Sequence, residues 1–184
     1  MDQRPAPGLG RPPRSTRGGT PRASRHQGEA ITLSTVDHDT FVIERTYDSP
    51  VGQVFRAWSD PERKARWFAG SAEALQSGYE LDFQVGGHER NRGGPPGGPV
   101  FTYDSEYRDI VPGQRIVTTY EMAADGQRLS VSVATVQFLN QGASTRLVLT
   151  EQGVFLDGRD TAAQREEGTR GLLDALARLL EDDR

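Results

Sequence analysis

The sequence predicts an α+β domain of six or seven antiparallel strands, with two short helices after the first strand and one long helix at the end. Three observations carry this. Within residues 160–181, Gly168, Leu172, Ala175, Leu176 and Leu179 recur at helical spacing, one apolar stripe on an otherwise charged helix. Between Phe41 and Glu151 almost every other segment alternates or turns. A single long helix after a run of strands has only the sheet on which to bury its stripe.

Folded structure is expected from near Thr40. Phe41, Ile43 and Tyr47 alternate with Val42, Glu44 and Thr46 as a first strand, which Arg45 interrupts. Ser49-Pro50 reads as an N-cap with Pro at the first helical position. Val51, Val54, Phe55 and Trp58 then give one apolar helix face. Asp60-Pro61 repeats the start signal for a second short helix to about Arg66, followed by Trp67 and Phe68. Tyr79, Leu81, Phe83 and Val85 read as a period-two strand before the Gly86-Gly87 turn. A short strand over 88–92 precedes the irregular GGPPGGP segment, 93–99. Phe101, Tyr103 and Tyr107 share a face of the next strand, which ends at Pro112-Gly113. Ile116, Thr118, Tyr120 and Met122 form another strand, and Asp125-Gly126 is a hairpin signal. Strands over 129–139 and 145–151 follow, joined at Asn140-Gln141-Gly142. Asp157 or Asp160 would cap the long helix. Gly168 and Gly171 each cost roughly 1 kcal/mol there relative to Ala. Either a strand backbone approaches them closely, or they leave room for a ligand.

Residues 1–34 hold five Pro, five Gly and six Arg against two acids, so their charge is +4 and the remainder carries −8. With few apolar residues this segment cannot repay the entropy of ordering and reads as a disordered tail ahead of a 35–184 domain. Without aromatics or a repeating basic pattern it makes no nucleic-acid arm. The chain has no Cys and three scattered His, which argues against a metal centre or disulfide framework. No apolar run reaches the roughly 20 residues of a membrane span, and no signal-peptide core follows Met1, so a cytoplasmic protein is expected. Of 22 basic residues only Lys64 is Lys, which reads as a codon-composition effect.

Several strings resemble the START superfamily of helix-grip proteins, also called SRPBCC or polyketide-cyclase-like. They are closest to its Aha-type branch, named for activators of the heat-shock chaperone ATPase. The strings are ERTYDSPVGQVFRAWSDPERKARWF at 44–68, YELDFQVGG at 79–87, DIVPGQRIVTTYEM at 109–122 and TRLVLTEQGVFLDG at 145–158. The resemblance spans about 40–180. It implies a curved sheet wrapped around the long helix, a mostly apolar cavity between them, and two short helices closing one end. It places Trp67 and Phe68 near that cavity, with Phe83, Phe101, Tyr120 and Phe138 on strands that line it. Gly168 and Leu172 complete the ligand-binding set from the helix. Trp58 is expected on its helix face, away from the ligand.

No catalytic residue and no cofactor transfer from the resemblance. His88, Glu89, Glu106, Tyr107, Tyr120, Glu151 and Arg165 are the polar candidates for acid–base work, and each is expected to be a solvated rim or loop residue. The favoured function is binding of a small apolar or aromatic molecule. A cavity-based cyclase, dehydratase or hydrolase is the alternative. A protein-interaction module with a chaperone or regulator as partner is the third reading.

Overall fold

The computed structural model describes residues 34–69 and 78–183; the expected disordered tail, apart from Ser34, lies outside them. Seven strands form one antiparallel sheet in the order β1-β7-β6-β5-β4-β3-β2. β1 is Val36–Tyr47, β2 Glu80–Leu81, β3 His88–Gly93, β4 Phe101–Val111, β5 Arg115–Ala124, β6 Gln127–Gln141 and β7 Ser144–Leu156. β2 to β7 meander, and β1 closes the far side by pairing with β7 from Val36↔Leu156 to Tyr47↔Thr145. The helices are α1 (Val51–Ser59), α2 (Pro61–Phe68) and α3 (Ala162–Asp182). This is the α+β helix-grip fold.

Local chemistry explains most boundaries. The Asp60 carboxylate accepts the Glu62 and Arg63 N–H groups at 3.1 and 3.2 Å, so α2 starts where Asp60-Pro61 predicts, and it runs on to Phe68. Asp125 and Gly126 both adopt positive φ (50° and 78°), as a type I′ hairpin requires. Arg45 breaks the alternation of β1 because it faces α3, where it pairs with Asp174 at 3.2 Å.

Other expectations shift. Pro50, not Ser49, caps α1, with no side-chain hydrogen bond. Thr161, not Asp157 or Asp160, caps α3: its hydroxyl accepts the Gln164 N–H at 3.2 Å. The strand expected over 79–85 is only Glu80–Leu81. Beyond Leu81 the backbone turns locally, with Gln84 N–H donating to the Asp82 carbonyl and Gly87 N–H to the Gln84 carbonyl. Gly86 N–H then donates to the Tyr107 carbonyl and Tyr107 N–H to the Gly87 carbonyl, beside a bulge between Tyr107 and Asp109.

The core lies between the β1–β7–β6 side of the sheet and all three helices, with Ile43, Val54, Leu147, Leu173 and Leu176 almost fully buried. α3 packs on β1, α1 and α2 through its C-terminal half, where Leu173, Leu176, Leu179 and Leu180 are buried. The buried stripe is rotated slightly from the expected one, leaving Leu172 and Ala175 half-buried. A Cβ on Gly87 would lie 2.2 Å from the Asp82 carbonyl oxygen. Gly87→Ala should therefore force the 82–87 turn apart and lower stability by about 1–3 kcal/mol, measured as a shift in the urea midpoint.

Candidate functional site

The N-terminal half of α3 does not rest on the sheet. Between it and the inner faces of β3–β7 lies a cavity of about 1100 Å³. Trp67, Phe68, Phe101, Tyr120, Gly168 and Leu172 line it, as do Tyr103, Ile116, Val136 and Leu149. Gly93, Gly94 and Pro96 of the GGPPGGP segment also line it, as do Arg159 and Gln164. A Cβ on Gly168 would meet nothing within 4 Å, and the same holds at Gly171. Close approach of a strand is therefore not the reason for either glycine, and of the two only Gly168 lines the cavity.

Three placements differ from expectation. Phe83 and Phe138 do not line the cavity. Phe83 left the strand that would have carried it and packs edge-on against Phe55 and Tyr107 at 5.8 and 5.0 Å. Phe138 sits where α1 covers β6, with its ring 5.3 Å from Phe55 and 6.0 Å from Trp58. Trp58, expected to stand apart, lines the cavity beside Trp67, 4.9 Å ring to ring. Its partner is held in place by a 2.8 Å hydrogen bond from Trp67 Nε1 to the Ala57 carbonyl.

The polar candidates divide sharply. His88 and Glu106 point outward, His88 toward Asp104 and Glu106 toward Arg108. Glu89, Tyr107, Tyr120, Glu151 and Arg165 are instead buried on the cavity wall, so the expectation of solvated rim residues fails for these five. Period-two alternation carries the carboxylates inward. Glu151 follows Thr145, Leu147 and Leu149 on the inner row of β7, and Glu89 is on the inner row of β3 with Asn91.

Two clusters result. In the first, Glu151 is 3 % exposed and accepts hydrogen bonds from Tyr120 Oη and from Ser132 Oγ, the latter at 2.9 Å. Arg165, 9 % exposed, reaches down from α3 and donates to Tyr120 Oη and Ser130 Oγ, both at 2.8 Å, and to Asp160. Burial raises the Glu151 carboxyl above the ordinary range, against the opposing pull of Tyr120, Arg165 and Ser132. Gly153 has no Cβ where the Phe155 ring lies (2.8 Å from the ideal position), and that ring supports the Arg165 guanidinium at 5.9 Å.

In the second cluster, Glu89 is 1 % exposed and accepts from Tyr79 Oη at 2.8 Å and Tyr107 Oη at 2.9 Å. Lys64 Nζ stands 3.6 Å from Glu89 Oε1. It is 4.0, 4.4 and 4.6 Å from the ring centroids of Trp58, Trp67 and Phe68. Burial pushes the Lys64 amine below the ordinary lysine range, with Glu89 opposing. Sequence reasoning missed Lys64 by treating its uniqueness as codon usage. The available signal was its spacing: Trp67 and Phe68 follow at i+3 and i+4, so one helix face carries a cation and two rings.

Among the described residues no three His, Asp or Glu side chains converge as a metal site requires, and no helix is long and apolar enough to cross a membrane.

The sheet, the gripping helix and the lined space between them define a helix-grip domain of the START-like class. More particularly, the chain belongs to the family described as Activator of Hsp90 ATPase homolog 1-like protein, which matches residues 48–181. It is similar to an uncharacterized protein from Rhizobium leguminosarum (45% identity, TM-score 0.77, covering 82% of this chain and 99% of that one). It is also similar to the Mll3558 protein from Rhizobium loti (47% identity, TM-score 0.74, 79% and 99% covered). An AHSA1-like protein from Aeromonas hydrophila shares the fold at 24% identity and TM-score 0.60, with 79% of this chain and 94% of that one covered. No curated protein matches the sequence.

Breaking the Lys64–Glu89 pair from one side leaves a buried charge uncompensated. Lys64→Met should cost about 3–5 kcal/mol, and Lys64→Met/Glu89→Gln should recover at least half of that in a urea double-mutant cycle. For Glu151 the folded chain holds its proton to higher pH than the unfolded chain does. The stability this contributes is full below about pH 4, the ordinary Glu value, and is lost as pH rises through the folded value. Glu151→Gln removes that loss, so over this window wild type should lose stability relative to the variant in pH-dependent urea midpoints.

Proposed function

We propose that the protein binds a small apolar or aromatic molecule in the cavity between α3 and the sheet. The observation that carries this is the cavity itself, walled by Trp67, Phe68, Tyr103, Tyr120 and Leu172; Gly168 lies on its border, where an added Cβ would meet nothing within 4 Å. The surroundings support it. Aromatic and aliphatic side chains form most of the wall, and a few polar groups converge at its two clusters, the usual composition of a small-molecule site. About 1100 Å³ lies just above the usual size of such pockets, which commonly span roughly 300–1,000 Å³. A cavity-based reaction is the second reading, favoured by the buried Glu89 and Glu151 carboxylates, since acid–base chemistry needs such groups held out of water. Under that reading Glu151→Gln would lower a discovered activity by about a hundredfold or more.

The test uses 1-aminoanthracene, a neutral fluorescent probe. Wild type should bind it with a blue-shifted emission, and Gly168→Leu should weaken binding at least ~10-fold, or 1.4 kcal/mol. The same substitution should raise the melting temperature, because Leu gains about 1 kcal/mol of helix propensity over Gly. Lower stability with probe binding intact would place the probe site elsewhere.

A further inference from the structure

The cavity holds two buried cations, and their surroundings differ in kind. Arg165 is forked among Tyr120, Ser130 and Asp160 and stays charged at any accessible pH. It is a strut. Lys64 is met, among the described residues, by one carboxylate and three aromatic rings. A primary amine in that position can lose its proton and then carries a nucleophilic lone pair. Twenty-one other basic positions in this chain are Arg; the single Lys stands on the cavity wall, 2 % exposed.

Resting on the binding reading above, we propose that Lys64 captures the aldehyde or ketone group of an aromatic or apolar ligand as an imine. Nζ of the neutral amine attacks the carbonyl carbon, and the C=O electron pair moves to oxygen, which takes up a proton. The nitrogen releases one proton, giving a carbinolamine. Loss of the hydroxyl with a second proton, as water, leaves the C=N bond. The sum is one amine and one carbonyl giving one imine and one water, with no oxidant or reductant. Glu89 is the proton carrier. It lies 3.6 Å from Nζ, and its oxygens are fixed one each by Tyr79 and Tyr107. The rings of Trp58, Trp67 and Phe68 exclude water from the amine and offer faces to an aromatic carbonyl compound. Burial also holds the amine below the ordinary lysine range, which increases the share of the reactive neutral form.

The experiment incubates the full chain with 2-naphthaldehyde and sodium cyanoborohydride, then maps the reduced adduct by peptide mass spectrometry. Displacement of 1-aminoanthracene by 2-methylnaphthalene, which has no carbonyl, reports binding separately. The expected result is one adduct per chain, on Lys64, formed at least ~10-fold faster than on the chain's own N-terminal amine, an ordinary α-amine. Glu89→Gln should slow it at least tenfold, and Lys64→Arg should remove it. Mapping on the unaltered chain decides the matter even where a variant does not fold. Displacement by 2-methylnaphthalene with Lys64 labelled no faster than the N-terminus would overturn the imine and leave the binding reading standing. No displacement by 2-methylnaphthalene together with no Lys64 adduct would overturn both.

Discussion

One buried guanidinium determines how α3 can sit. Arg165 extends from the first turns of the helix to Tyr120 on β5 and Ser130 on β6, and lies 3.6 Å from Glu151 on β7. A buried Arg must keep its donors satisfied, and these partners lie across the cavity from the helix backbone. The N-terminal half of α3 is therefore held at the length of an arginine side chain from the sheet. The C-terminal half obeys a different rule. Leu173, Leu176, Leu179 and Leu180 pack directly against β1, α1 and α2, each burial being worth roughly 1.5–3 kcal/mol. Tyr47 adds a 3.1 Å hydrogen bond to the Leu173 carbonyl at the junction. One helix is thus packed at one end and propped at the other, and the space under the propped end is the cavity.

The same constraint accounts for the unusual content of the inner sheet face. Charges in a low-dielectric wall are costly, and a hydrophobic replacement of a buried pair is often as stable. Here Glu151 and Glu89, paired with Arg165 and Lys64, occupy strand positions that alternation assigns to the core. Each carboxylate is satisfied by tyrosine hydroxyls: Tyr120 for Glu151, and Tyr107 and Tyr79 for Glu89; the Tyr120 and Tyr107 rings line the cavity. Desolvation dominates these tyrosines and raises their hydroxyls above the ordinary range, so they serve as donors at neutral pH. The result is an apolar chamber with a fixed polar cluster at each of two places, the groups that would orient the proposed ligand.

Much of this was legible in the chain. The 3.6-residue stripe after Asp160 and the two start signals at Pro50 and Asp60-Pro61 identify every described helix to within a few residues, because they are local. Asp125-Gly126 likewise fixes its hairpin. The extent of β1 and β7 was underestimated, since cross-strand pairing extends both beyond the apolar core. The Phe83 strand was overestimated: its alternation is real, but Gly86-Gly87 folds back onto Tyr107 and removes the ladder partner. The cavity wall was only partly readable. Trp67, Phe68, Phe101, Tyr120, Gly168 and Leu172 face it, whereas Phe138 lies on the correct face of its strand under a helix that sequence alone cannot place. The buried charges were the least readable. Glu89, Glu151 and Lys64 look solvated as isolated charges; alternation marks the two carboxylates as inward, but their partners Lys64 and Arg165 come from helices whose placement against the strands is not a local property.

The central claim is that the propped end of α3 encloses a ligand site. A crystal structure with bound 1-aminoanthracene tests it most directly. The account predicts density for the probe between α3 and the sheet, against Phe68 and Tyr103 and beneath Gly168. Density only on the outer sheet face, where Val131 and Val133 are exposed, with α3 closed down onto β5 and β6, would contradict it.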